Sequence, residues 1–219
     1  VKIALVDYGV GNRTSVRHAF ARLGVETTLT ADPDQILTAD AVVLPGVGSA
    51  GPAQAAMKAK GLDPLISQLR QPVLGICLGM QLFAEYLEED NAPGLGILEG
   101  EVVHLQRWRA EDQNEAVVPT DALARVPHMG WALLEACDED GFSDPLLRGV
   151  APGDAVYFAH SYALNDLRHA TALTRHGNLL FPSVVRCRNF WGCQFHPEKS
   201  SRVGAKILNN FLSIAQRNK

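Results

Sequence analysis

The stretch Pro72-Val73-Leu74-Gly75-Ile76-Cys77-Leu78-Gly79-Met80-Gln81-Leu82 constrains the fold more than any other. Val73 to Ile76 is a short apolar run of the length of a buried strand. From Leu78 to Glu88, residues Leu78, Leu82, Phe83 and Tyr86 recur at helical spacing, which predicts a helix. Cys77 stands at the join, between Gly75 and Gly79. Gly-x-Cys-x-Gly across a strand-to-helix junction is the nucleophile-elbow pattern with cysteine in the place of serine. The sharp turn strains the nucleophile's backbone, and small neighbours let it close. The pattern predicts a thiol at the tip of a sheet, facing a cleft. The N–H groups of a helix start lie behind it, where they favour a thiolate and can hold an oxyanion. A cysteine in an apolar run is by itself a small buried hydrophobe; the paired glycines are what argue for chemistry.

The residues around this stretch predict the sheet. Ile3 to Val6, Val25 to Thr30 and Ala41 to Leu44 read as strands, the last stopping at Pro45-Gly46-Val47-Gly48. Between them, Asn12 or Thr14 can cap a helix with Val16, Phe20 and Leu23 on one face, and Gly24 ends it. A helical region from Ala53 to Arg70 is broken near Gly61 and Pro64. Strands alternating with helices over the first 90 residues predict a parallel, doubly wound α/β sheet. Sites in such sheets form beyond the carboxyl ends of the strands. Tyr8-Gly9, Pro45–Gly48 and Cys77 therefore converge on one crevice.

The second half reads differently. Asn91 to Gly96 is a Gly/Pro turn region, Glu101 to Leu105 a strand, and Arg109 to Thr120 an exposed polar loop. Asp154 to Leu164 and Ala170 to Arg175 read as strands. Ser183 to Cys187 and Phe190 to Phe195 form a hairpin through Arg188-Asn189. Ser200 or Ser201 caps a last helix with Val203, Ile207, Phe211 and Ile214 in one stripe. No linker divides the chain, so residues 1–219 read as a single domain.

The totals narrow the class. With 219 residues, 47% hydrophobic, the chain can bury a full-sized core. A net charge of -4 with no basic run argues against a nucleic-acid footprint. Four cysteines without paired spacing make neither a disulfide framework nor a zinc knuckle. Cys137, Cys187 and Cys193 read as buried and inert. No apolar stretch reaches the length of a membrane span, and Lys2 to Asp7 runs straight into a strand. The expected setting is cytoplasmic, with reduced thiols.

Cys77 needs a base, and Gln194-Phe195-His196-Pro197-Glu198-Lys199 offers one. Pro197 pushes His196 out of the α region. In an extended segment His196 and Glu198 emerge on one side, so the carboxylate can hold the imidazole N–H. Nucleophile, base and orienting acid then follow the triad logic in the order Cys…His-x-Glu.

Gly75-Ile76-Cys77-Leu78-Gly79-Met80-Gln81 together with Gln194-Phe195-His196-Pro197-Glu198 resembles the class I, triad-type glutamine amidotransferases over nearly the whole chain. The resemblance implies an α/β, flavodoxin-like, doubly wound fold. Its central sheet is mostly parallel, with helices on both faces and an added antiparallel part in the second half. It implies hydrolysis of glutamine through Cys77, His196 and Glu198, with ammonia passed to a synthase and no cofactor or metal. Tyr8–Asn12, Pro45-Gly46-Val47-Gly48, Pro127-His128-Met129-Gly130-Trp131 and His160-Ser161-Tyr162 are similar to the branch that serves imidazole glycerol phosphate synthases of histidine biosynthesis. That branch works with a TIM-barrel cyclase subunit. Carried over position by position, the resemblance makes the backbone N–H of Leu78 and of Val47 or Gly48 the oxyanion hole. Gly48, Gln81, Ser161 and Tyr162 become glutamine-holding residues, and Asn12, Trp131 and Lys199 contacts with the partner. Gly46 and Gly48 make a peptide flip in the oxyanion loop sterically cheap.

This chain departs from the branch at Ala132, where Asn is usual, and at Arg13, where Leu is frequent. Both fall where the partner is expected. Three other readings stand beside this one: a glutaminase serving another synthase, such as the pyridoxal phosphate one, a stand-alone cysteine hydrolase, and a partner-binding scaffold without catalysis. Pro-Gly-Val-Gly and Pro-His-Met-Gly-Trp count against the first, and the intact Cys-His-Glu set against the last.

Overall fold

A computed structural model describes residues 1–9, 11–111 and 125–217, with backbone alone at 109–111. In chain order the elements are β1 (Ile3–Val6), α1 (Arg13–Arg22), β2 (Thr27–Thr30), α2 (Pro33–Leu37), β3 (Ala41–Gly46), α3 (Ala50–Ala59), α4 (Leu62–Ser67), β4 (Val73–Cys77) and α5 (Leu78–Gln81). Then come β5 (Tyr86–Leu87), β6 (Ala92–Pro93), β7 (Glu101–His104), α6 (Leu105–Glu111), β8 (His128–Leu133), β9 (Ala155–His160), β10 (Tyr162–Leu164), β11 (Ala170–His176), β12 (Leu179–Cys187), β13 (Phe190–Cys193) and α7 (Ser201–Arg217).

Seven strands form the central sheet in the order β11-β12-β13-β4-β3-β1-β2. From β2 to β13 every pairing is parallel, and β12 and β11 continue it antiparallel. Side chains alternate across each strand. Ile3, Leu5, Val43, Leu74 and Ile76 therefore face α1 and α7, while Ala4, Val6, Val42, Leu44 and Val73 face α2, α3 and α4. Both faces are covered, which is why β1, β3 and β4 read as unbroken apolar runs. Smaller sheets, β10-β7-β5-β6 and β8-β9, build the second half. Among the described residues no helix is long and apolar enough to cross a membrane.

The sequence predicts the strands of the first half closely and the region after Cys77 poorly. The helix expected to run to Glu88 stops at Gln81. The carbonyls beyond it are claimed by a loop instead of a further turn. Leu95 N donates to Leu82 O at 2.8 Å, Ile97 N and Leu98 N to Phe83 O at 2.8 Å each, and Gly96 N to Ala84 O at 3.0 Å. Tyr86 then pairs with Pro93 and Glu101 as a strand. Tertiary hydrogen bonding overrides helical spacing here. For the same reason the Gly/Pro region contributes a short strand, Ala92–Pro93. The strand from Glu101 ends at His104, and Leu105 opens α6. Of the loop expected over Arg109 to Thr120, Arg109–Glu111 belong to α6 and the rest lies outside the described residues, as does Val10 of the first turn. Cys193 is buried as expected, but Cys187 is only half-buried and Cys137 is exposed.

Candidate active site

Cys77 ends β4 with φ 52° and ψ -111°, a left-handed backbone on a residue with a side chain. Such a conformation costs about 1–3 kcal/mol and persists only when its surroundings enforce it. They do so by close packing. A Cβ on Gly79 would lie 1.9 Å from Leu44 O, one on Gly75 would lie 2.7 Å from Gly79 O, and one on Gly46 would lie 2.4 Å from Gly79 N. The turn after Cys77 is thus pressed against the ends of β3 and β4. Gly46 serves this contact, whereas Gly48, at φ 94°, is the residue whose freedom shapes the loop. Because α5 is a single turn, the local N–H groups at its start, and not a long helix dipole, lie behind the thiol.

β13 runs parallel to β4, with Cys193 opposite Ile76, and carries the chain to His196 beside Cys77. His196 is extended, as Pro197 requires, but Pro197–Lys199 is a 3-10 turn. Glu198 therefore reaches the imidazole by curling back, not along an extended segment: His196 Nδ1 to Glu198 Oε1 is 2.9 Å, with both side chains buried. Burial works against a charge on His196. Hydrogen bonds to Cys77 and Glu198, and their charges, outweigh it and raise the imidazole to about 9. Gln194 Nε2 lies 3.8 Å from the Cys77 Sγ, and the Sγ 3.9 Å from Ala159 O.

Cys77 and His196 open on a cavity of about 390 Å³. Val47, Gly48, Leu78, Gln81, Ser161, Tyr162 and Lys199, all singled out in the sequence, line it with Cys77 and His196. Gln81 is held firmly: its Nε2 donates to Tyr162 O at 2.8 Å and Gln194 Oε1 at 3.0 Å. Both amide hydrogens are engaged, so Oε1 is the atom left to meet a ligand. Asn12 caps α1 by accepting from Ser15 N. Trp131 and Lys199 meet on Tyr157, the indole edge-on at 6.0 Å and the ammonium 5.8 Å from the ring centre. Met129, Trp131 and Leu133 are 65%, 56% and 55% exposed on alternate positions of β8, an apolar strip beside the cavity mouth.

Three contributors escaped sequence reading. Glu89 puts a carboxylate into the cavity while accepting Ala50 N–H at 2.9 Å. Its carboxyl is pushed up by burial, against the pull of that N–H. Gln194 lies inside a motif whose histidine drew the attention. The third is a buried histidine pair, for which direct pairing of His128 with His160 across β8 and β9 is the structural signal. His160 Nδ1 is 2.8 Å from Tyr162 O, and His128 Nδ1 is 3.0 Å from His160 Nε2. A carbonyl only accepts, so His160 carries its proton on Nδ1 and accepts from His128 on Nε2. Burial lowers His128 to about 3 and His160 to about 4, with neighbouring histidines adding to it for both and the Tyr162 carbonyl opposing it for His160.

Both rings are expected to stay neutral at pH 5, with this tautomer, in nitrogen-15 histidine spectra. An imidazolium signal from either at pH 5 would refute the arrangement. The unfolded chain takes up these protons near pH 6.5 and the folded chain does not. The pair's contribution to stability is thus complete above about 6.5 and lost as pH falls toward 4 and 3.

A strained cysteine at a strand-to-helix elbow, an imidazole beside it and a buried carboxylate on that imidazole define an α/β protein of the cysteine acyl-transfer class. The family model "Glutamine amidotransferase class-I" matches residues 4–215, and the chain belongs to that family. It is 42% identical over 212 residues to the imidazole glycerol phosphate synthase subunit HisH 2 of Legionella pneumophila (strain Philadelphia 1), covering 97% of this chain and 98% of that one. It is 38% identical over 214 residues to the HisH subunit of Bacteroides fragilis (strain YCH46), covering 98% and 100%. Among solved structures, a glutamine amidotransferase (TM-score 0.68, 19% identity, 97% and 98% covered) and PurLQS from Thermotoga maritima (TM-score 0.66, 18% identity, 97% and 97% covered) share the fold.

Proposed function

We propose that this chain is the glutaminase subunit of an imidazole glycerol phosphate synthase, acting as one amidotransferase domain beside a TIM-barrel cyclase. The near full-length likeness to subunits of that name supports the reading. The observation that carries it is chemical. Cys77 and His196, the imidazole backed by buried Glu198, open on the same cavity as a set of groups suited to the amino-acid end of glutamine.

Glutamine would lie with its side-chain amide at Cys77. The Glu89 carboxylate and Gln81 Oε1 are acceptors for its ammonium, and Gly48, Ser161 and Tyr162 line the remaining wall. The Cys77 thiolate attacks the amide carbon, forming a C–S bond. The oxyanion is received by the N–H of Leu78 and of Val47 or Gly48. Collapse breaks the C–N bond as the His196 imidazolium gives its proton to the nitrogen, so ammonia leaves and a γ-glutamyl thioester remains. His196 then takes a proton from water, which attacks the thioester. Glutamate is released, and the thiolate and imidazolium are restored. Glu198 holds the imidazole in place throughout. Ammonia passes to the cyclase, which makes imidazole glycerol phosphate and the aminoimidazole carboxamide ribonucleotide. The Met129–Trp131–Leu133 strip, Lys199 and Asn12 face that partner. A thiol that must stay reduced fits a cytoplasmic setting.

The test is ammonia release from glutamine by the chain alone and by the chain with the cyclase subunit and its nucleotide ligand. Slow turnover alone and a rise of about 100-fold or more in the complex, the size of one oxyanion donor gained, is the expected outcome. Full turnover without a partner would make it a stand-alone hydrolase. Activation by a different synthase would reassign the partner.

A further inference from the structure

We propose that Tyr8 is a positioning residue for the oxyanion-binding segment, which it holds through the Pro45 carbonyl; this rests on the amidotransferase reading above. Tyr8 follows β1 and is 1% exposed, and its hydroxyl donates to Pro45 O at 2.5 Å. Pro45 and Gly46 are the last residues of β3 in register with β4, opposite Ile76 and Cys77. Beyond them the ladder ends. Val47 and Gly48 bridge to α3 without strand pairing, and Ser49, which precedes α3, gives that helix no side-chain cap. The far end of the bridge is fixed instead by Glu89 and Asp90, which accept Ala50 N–H at 2.9 Å and Gly51 N–H at 3.0 Å. The near end is fixed by Tyr8.

The β1–α1 loop closes on the same carbonyl from a second direction, since a Cβ on Gly11 would lie 3.5 Å from Pro45 O. That loop is itself anchored. Asp7 pairs with Arg13 and accepts Gly9 N–H at 3.0 Å, and its carbonyl accepts Lys60 Nζ at 2.7 Å. The hydroxyl is the informative group, because a phenylalanine ring would fill the space and leave the carbonyl without its donor. Burial, then the negative charge at Cys77, push the phenol above its ordinary range, against the weaker pull of Arg13. Tyr8 is therefore a donor throughout the working pH range. An anchored loop thus sets the position of the peptide that meets the developing oxyanion.

Tyr8→Phe in the full chain, saturated with the cyclase subunit, tests this. The kcat for glutamine hydrolysis is expected to fall about tenfold, with KM within about twofold, because the loss lies in the transition state. Glutamate γ-semialdehyde, whose hemithioacetal with Cys77 would place its oxygen in the same hole, is expected to bind more weakly by the same factor. Backbone nitrogen-15 order parameters are expected to fall at Val47 and Gly48 and not at Leu78. Unchanged kcat and unchanged order at Val47 and Gly48 would overturn the proposal. So would a rise in KM alone, or a loss of order across the whole core, which would mark a general packing role. If neither protein hydrolyses glutamine, the functional reading fails, and order at Val47 and Gly48 still decides the role of Tyr8.

Discussion

Cys77→Ala is expected to lower glutamine hydrolysis by about 10⁴-fold or more, because the thiol beside His196 is the group that forms the acyl intermediate. Residues acting as one unit are not additive. Adding His196→Ala to the cysteine variant should therefore cost little more. The fold should survive, since alanine at position 77 meets the same backbone strain as cysteine and removes one sulfur from a half-polar setting. The discriminating measurement supplies ammonium chloride to the variant in complex with the cyclase. Formation of the imidazole product should then proceed at the wild-type ammonia-dependent rate, since the cyclase chemistry needs nitrogen and not the thiol. Residual hydrolysis within tenfold of wild type would remove Cys77 from its assigned role.

Gly79→Ala should be far more damaging to the fold. The added carbon would sit 1.9 Å from the Leu44 carbonyl oxygen and 2.8 Å from its carbon. Both are backbone atoms inside the parallel sheet, so no rotamer change relieves the overlap. Either β3 separates from the turn or the turn itself is lost. We expect destabilisation above about 4 kcal/mol, in the range reserved for severe overpacking, or no folded protein at all. Urea denaturation beside Cys77→Ala provides the comparison. A midpoint within error of the parent chain would mean that the elbow is not pressed against β3 as described.

Most of what organises the site is local in sequence, and that part was readable. The apolar runs at Ile3–Val6, Ala41–Leu44 and Val73–Ile76 are buried on both faces, and such strands announce themselves. Gly75 and Gly79 announce the elbow because close approach tolerates no side chain. From Leu82 to Ala84 the helical spacing misleads, because the carbonyls there bond to residues 95–98, a choice that no spacing records. Glu198 reaches His196 through a 3-10 turn and not along the extended path that the i, i+2 spacing predicts, so the sequence points to the right pair through the wrong geometry. Glu89 was invisible because it looks like one acid in the acidic run Glu88–Asp90, and only folding brings it to the cavity. His160 and His128 belong to recognisable sequence motifs, yet their hydrogen bond depends on the pairing of β8 with β9.

The placement of β13 beside β4 also governs when the protein can become reactive during synthesis. The thiol belongs to the first-made half of the chain, while its base follows a strand that leaves the ribosome more than a hundred residues later. That strand seats itself by non-local pairing, the kind of contact that forms slowly. A nascent chain halted between residues 77 and 195 carries Cys77 without His196 and Glu198. Glutamine would then meet a thiol with no proton donor for the departing ammonia. Such products lack the base that full turnover requires, and that turnover waits on delivery of the last strand to the centre of the sheet.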